Sequence, residues 1–240
     1  MKTAIKLAVA GLTLSVSSLV SAVPVLTISG EGNAAATAAE TAFLSTLGGS
    51  GLTETFDRGY TVGAQDLTID SVLVAGTSFT SVTQGVGGAC DNGSFNCSDG
   101  LAVLNNSASP FSGRFSLSSP NWLDSMDARE MEISPTAGYN AMGFYMTDPN
   151  DSGGRFSIGG VDFSFGDIFG SALGSGKVFY ISLFDAAGLG DMSIFSNANG
   201  DGYGLDNVTI GSVAVPEPGT FALLGLGLLG LGVTRKRASK

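Results

Sequence analysis

The chain has 240 residues, 11 basic and 21 acidic, with no histidine, two cysteines and 36 glycines, and only 13% of its residues are charged. Between Val23 and Glu217 five basic residues stand against all 21 acidic ones, a formal charge of −16 that repels nucleic acid and argues against it as a partner. The lack of histidine excludes Ser-His-Asp and Cys-His catalysis and histidine metal sites, and the Gly-, Ser- and Phe-rich, Lys-poor profile suits an extracellular β-sandwich better than a helical enzyme.

Met1 to Ala22 carries Lys2 and Lys6, an apolar run from Leu7 onward, and Val20-Ser21-Ala22 with small residues at both recognition positions. That pattern predicts a secretory signal peptide over residues 1–22, cut after Ala22. Residues 23–212 then read as one mainly-β domain, an antiparallel sandwich of jelly-roll type with one short soluble helix near its start. The helix is expected over Ala34 to Leu47, capped by Asn33 and stopped by Gly48-Gly49, with Ala39, Phe43 and Leu47 on its buried stripe.

Strand-like runs follow at Leu52 to Phe56, Asp66 to Val74, Thr77 to Thr83, Leu101 to Leu104, Gly113 to Ser118 and Arg129 to Ser134. They continue at Tyr139 to Thr147, Gly154 to Ile158, Val161 to Phe165, Lys177 to Phe184, Met192 to Ser196 and Leu205 to Ile210. Arg114-Phe115-Ser116-Leu117-Ser118 alternates like a strand with one wet face, and Ile158-Gly159-Gly160-Val161 reads as a tight hairpin. Cys90 and Cys97 lie in a turn-rich loop of an exported chain, so a local disulfide is expected, pinning a loop rather than stapling the fold.

Two sets of oxygen side chains suggest calcium. Asn197, Asn199 and Asp201 alternate before Gly202, with Asp206 further on, like the front half of a calcium loop, although Asn stands first and Val208 occupies the twelfth position where a Glu belongs. A solvated turn before the last strand is the other reading. Asp57 and Asp206 form the second set, placed to share a structural calcium if the first and last strands meet. No other cofactor is implied, and no catalytic residue stands out. The acidic loop at Asp148 to Gly154 and the aromatics Trp122, Tyr139, Tyr145, Tyr180 and Tyr203 offer sugar contacts, with a turn and core packing as their plainer roles.

The chain closes with Val215-Pro216-Glu217-Pro218-Gly219-Thr220, an uncharged run from Phe221 to Val233, and a basic cluster of Arg235, Lys236 and Arg237 within the tail 234–240. The prolines impose an extended spacer. A transmembrane helix is expected over 221–233, with the basic cluster stopping transfer on the cytoplasmic side. Thirteen residues give only about 20 Å of helix at ~1.5 Å each, against roughly 20 residues for a comfortable span, which suits a segment held briefly in the membrane and then processed.

Pro-Glu-Pro, a short apolar helix and a terminal basic cluster, in that order over residues 213–240, resemble the PEP-CTERM sorting signal of Gram-negative bacteria, whose C-terminal segment also carries an ice-binding label. The resemblance implies an exosortase and the secretion machinery as partners, membrane anchoring that is at least transient, and then a place at the cell surface or in the extracellular matrix. Thr53 to Asp57, Met142 to Asp148 and Asp201 to Ile210 are similar to the sandwich domain of many such surface proteins, itself like carbohydrate-binding jelly rolls. The expected function is that of a non-enzymatic surface protein associated with exopolysaccharide or biofilm. A calcium-supported, lectin-like carbohydrate-binding module is the second reading, and a hydrolase of matrix polysaccharide, needing two carboxylates roughly 5 to 10 Å apart, is the third.

Overall fold

The computed structural model describes residues 23–87, 90–149, 154–170, 173–197 and 200–214. The chain runs β1 (Val25–Ile28), α1 (Asn33–Thr46), β2 (Leu52–Glu54), β3 (Gln65–Asp66), β4 (Thr68–Asp70), β5 (Ser78–Thr83), β6 (Leu101–Asn105) and β7 (Asn121–Asp124). It continues with β8 (Glu130–Ser134), β9 (Ala141–Thr147), β10 (Gly154–Ile158), β11 (Val161–Ser164), α2 (Phe165–Phe169), β12 (Val178–Phe184), β13 (Met192–Ser196) and β14 (Gly204–Gly211). Two antiparallel sheets form. One has the order β1-β12-β9-β14-β7-β6-β3, with β2 also paired to β14, and the other has the order β11-β10-β13-β8-β5-β4.

A single core lies between the sheets, filled by Phe144, Met146, Ile181, Leu183, Leu205 and Ile210 from the first and Phe79, Met131, Ile133, Phe156 and Ile194 from the second. The two outer faces differ. Strands of the second sheet alternate buried and half-buried residues, as in β8 and β10, the mark of one wet face. In the first sheet every residue of β7, β9 and β14 is buried, because its outer face is covered too.

One cover is α1, whose Ala36, Phe43 and Leu47 pack with Tyr145, Val178 and Tyr180 on β9 and β12. Close approach there depends on Gly143, since a Cβ at that position would lie 2.8 Å from Phe43 and closer still to the Tyr180 hydroxyl. The second cover is the loop closed by the Cys90–Cys97 disulfide, which packs with Ala102, Leu104, Trp122 and Met126 over β6 and β7.

Several expectations change in detail. Helix α1 is capped at Gly32 without a side-chain hydrogen bond, so Asn33 begins the helix rather than capping it. The run Gly113 to Ser118 is irregular: Phe115 donates its N–H to Thr147 Oγ1 and Leu117 donates to Asp206 Oδ2, so these backbone donors meet side chains instead of a neighbouring strand. Strand β7 and helix α2 were not expected. The Ile158 to Val161 hairpin forms as read, with Gly159 and Gly160 both at positive φ. Among the described residues no helix is long and apolar enough to cross a membrane, and the expected span 221–233 lies outside them.

Candidate functional site

The polar chemistry of the domain concentrates where β2 and β14 meet. Glu54 is the last residue of β2, opposite Val208, and its carboxylate is fully buried. Oε1 accepts the Phe56 N–H at 2.7 Å; Oε2 accepts the Tyr60 and Ser71 hydroxyls and the N–H groups of Val72 and Leu73, at 2.7 to 2.9 Å. Phe56 takes a left-handed φ of 58° while making that bond, so the carboxylate holds a strained turn as well as two loops. Burial pushes the Glu54 carboxyl up, but the Leu73, Ser71, Phe56 and Tyr60 donors outweigh it and leave the group below its ordinary value.

Tyr60, fixed in this way, forms one wall of a cleft of about 290 Å³ at the rim of the sandwich, with Asp66, Thr68, Asp70 and Val72 around it. Gln65 stands at the same cleft, its amide already bonded to Asn96 and Gly100. The cleft therefore presents one aromatic side chain beside hydroxyl and carboxylate oxygens.

The register of β14 shifts between Asp206 and Thr209, and Asn207 has φ 48°. This bulge turns two adjacent side chains to the covered outer face. Asn207 Nδ2 donates to Glu40 Oε1 on α1, and Glu40 Oε2 accepts the Tyr145 hydroxyl at 2.6 Å. Asp206 accepts the Leu117 and Asn207 N–H groups at 2.9 and 2.8 Å. Burial, together with the nearby Asp57 carboxylate, raises Asp206 to about 6 despite those donors.

Further along the same face Arg114 is buried between Asp124 Oδ1 at 3.0 Å and Asp127 Oδ1 at 2.6 Å, with Asp148 Oδ2 at 4.0 Å. Asp127 also accepts the Cys90 N–H, tying the disulfide loop to this cluster. A Cβ on Gly202 would lie 2.7 Å from Asp127 Oδ1 and 2.9 Å from Arg114 Cζ, so the backbone of the loop before β14 lies directly on the ion pair.

The residues singled out in the sequence therefore separate. Cys90 and Cys97 are joined. Asp57 is exposed and Asp206 buried, and the pairing of β2 with β14 brings their charges into interaction. Asn197 is exposed and Asp201 half-buried, and Asn199 lies outside the described residues. Among the described residues Asp57, Asp201 and Asp206 do not gather within 4.8 Å as a carboxylate trio; the one such group is Cys90, Asp91 and Cys97, whose sulfurs are spent in the disulfide. Trp122, Tyr145, Tyr180 and Tyr203 are buried and Tyr139 packs against the core, and the tyrosine that lines the polar cleft is Tyr60. Glu54 and Arg114 carry extensive networks, and although the sequence places them in a sandwich-like stretch and an alternating run, neither pattern marks them as buried charges.

The end of the domain is fixed as well. Asn140 Nδ2 donates to the Val213 carbonyl at 2.9 Å and its Oδ1 accepts the Val213 N–H at 2.7 Å, so one amide grips the backbone at two points. The family model that begins at the next residue matches the PEP-CTERM protein-sorting motif over residues 214–237. The chain ends in a PEP-CTERM sorting motif. Val215, Pro216, Glu217, Pro218, Arg235, Lys236 and Arg237 all fall inside the matched range and outside the described residues. A PEP-CTERM motif marks an exported protein of Gram-negative bacteria that is sorted by an exosortase at the membrane. No curated protein matches the chain. A crystal structure of the K2 cleaved adhesin domain of Lys-gingipain is similar at 15% identity, covering 67% of this chain and 97% of that one with a TM-score of 0.36, an overlap too loose to carry any residue or role across.

Proposed function

We propose that this is a non-enzymatic protein of the cell surface or extracellular matrix, exported by a signal peptide over residues 1–22 and transferred out of the membrane by an exosortase to the exopolysaccharide layer. The observation that carries this reading is the sorting motif at 214–237, placed directly after the Asn140 clamp that ends an acidic sandwich. The test is the intact mass of the protein recovered from native cells, with and without the exosortase. Loss of Met1 to Ala22 and of the segment beyond Pro218, the second cut absent in the mutant strain, is the expected result. A tail retained in both strains refutes transfer.

The Tyr60 cleft favours a second reading, a carbohydrate-binding module with a jelly-roll body and calcium-supported loops. It predicts saturable binding of matrix polysaccharide that Tyr60→Ala abolishes and Tyr60→Phe, which keeps the ring, preserves. The calcium would bridge Asp57 and Asp206, and it predicts a melting temperature raised by calcium and unchanged by it in Asp57→Asn. Unaltered binding in Tyr60→Ala removes the cleft from the reading.

A further inference from the structure

An apolar groove of about 380 Å³ runs between α1 and the β1–β12 edge of the first sheet. Phe43, Phe184, Val25 and Val213 wall it, and Ala39 and Ala42 keep its helix side shallow. Among the described residues only Thr27, Thr46 and Ser182 bring hydroxyls to it, and none of those lining it is charged. On a protein whose surface is strongly acidic such a groove is an unusual place, and its lining joins the two ends of the domain. Val25 lies two residues after the first described residue, and Val213 one residue before the last.

The exit at Val213 is held in place. Besides the two Asn140 bonds, Ser50 Oγ donates to the Ser212 carbonyl at 3.2 Å. The 26 residues from Val215 to Lys240 are therefore paid out from the groove wall itself. They contain one long uncharged apolar run, Phe221 to Val233, with glycines at 225, 227, 230 and 232. Seven residues separate Val213 from Phe221, a reach of about 25 Å when extended. A linker of that length gives an effective concentration on the order of millimolar, so weak apolar contact is enough for occupancy.

We propose that this groove seats the chain's own apolar segment Phe221–Val233 before the segment passes to the membrane. The match is chemical: an aliphatic, Gly-rich segment approaches closely a surface made shallow by alanine. An apolar segment too short to span comfortably needs shelter while it is in water. The groove gives it shelter, and its handover to the bilayer would bring the domain edge carrying Val25 and Val213 with it. Passage to the membrane rests on the sorting reading. Seating in the groove does not, and it is measured on purified protein without the exosortase.

The test uses the full chain carrying Ala222→Cys, together with either Thr46→Cys at the groove or Thr68→Cys on the far sheet. Under mild oxidation the Thr46 pair is expected to form an intramolecular disulfide in most molecules, at least tenfold faster than the Thr68 pair. Adding Ala42→Trp, which fills the groove from an exposed helix position, should reduce that rate to the level of the Thr68 pair. Equal rates for the two pairs overturn the proposal. So does cross-linking mainly between chains, which would give the groove to a second copy, or faster capture of Leu14→Cys, which would give it to the N-terminal apolar run. Circular dichroism of each variant confirms that the sandwich is intact, and Ala39→Phe fills the same groove if Ala42→Trp fails to fold.

Discussion

Replacing Glu54 by alanine removes the acceptor on which five donors converge. Three of these are backbone N–H groups, of Phe56, Val72 and Leu73, and two are the hydroxyls of Tyr60 and Ser71. Hydrogen bonds to a charged group contribute about 1.5 to 3 kcal/mol each, and a buried donor left unpaired costs about 1 to 3 kcal/mol. The five are not additive, because Val72 and Leu73 are exposed enough for water to replace the carboxylate there. The Phe56 N–H and the Ser71 hydroxyl are buried, so the expected loss is about 4 kcal/mol.

Glu54→Gln should lose about half of this, since one amide oxygen can serve the Oε2 cluster while the NH₂ then faces the Phe56 N–H. The pH dependence follows from the depressed carboxyl. Below an ordinary value near 4.5 the unfolded chain takes up the proton first, so the stability Glu54 contributes is complete above that value and is lost as pH falls through the lower folded value. Urea unfolding of wild type, Glu54→Gln and Glu54→Ala between pH 7 and pH 3 reads both effects. A Glu54→Ala loss under about 1 kcal/mol at pH 7, or an acid slope unchanged in that variant, refutes the argument.

Asp206 predicts the opposite slope. Its carboxyl is raised to about 6, so the folded state holds a proton that the unfolded state has released, and stability falls by roughly 2 kcal/mol as pH rises from 4 to 7. Asp206→Asn should flatten that part of the urea-midpoint profile, and Asp57→Asn should shift it downward in pH. Arg114→Met leaves Asp124 and Asp127 buried without their cation and should cost about 3 to 5 kcal/mol, with part recovered in the triple variant that adds Asp124→Asn and Asp127→Asn; thermal melts in one buffer compare them. Gly143→Ala drives a methyl into the Tyr180 hydroxyl and Phe43 and should cost about 2 kcal/mol. Because that hydroxyl is buried with no hydrogen-bond partner among the described residues, Tyr180→Phe should be neutral or stabilising, and the Gly143→Ala, Tyr180→Phe pair should melt above Gly143→Ala alone.

The elements that could be read from the sequence are those whose signal is local. Met192 to Ser196, Gly154 to Ile158 and the glycine hairpin after it follow from alternation and turn chemistry, and the structure places them with those boundaries. Gly113 to Ser118 alternates equally well and is no strand. Its backbone donors reach Thr147 and Asp206, residues 32 and 89 positions away, which no window of sequence contains. Strand β7 failed in the other direction: Asn121-Trp122-Leu123-Asp124 is buried on both faces, so it shows no alternation, and Asp124 looks like a surface residue until Arg114 is seen beside it.

The sites divide in the same way. The sorting motif is a linear signal, its proline spacer, apolar run and basic cluster acting in order along the chain, so sequence alone determined it, as it did the disulfide between two cysteines seven residues apart. Glu54 and Asp206 are two of 21 acidic residues, and although Asp206 stands out in sequence as a candidate calcium ligand, nothing near either one announces a buried carboxylate. Tertiary structure decided their chemistry. The chain after β2 folds back to give Glu54 five donors, while the segment carrying Leu117 and Ser119 covers Asp206 near Asp57, so one carboxyl falls below its ordinary value and the other rises above it. Burial and hydrogen-bond count are properties of packing, and residues distant in sequence supply them.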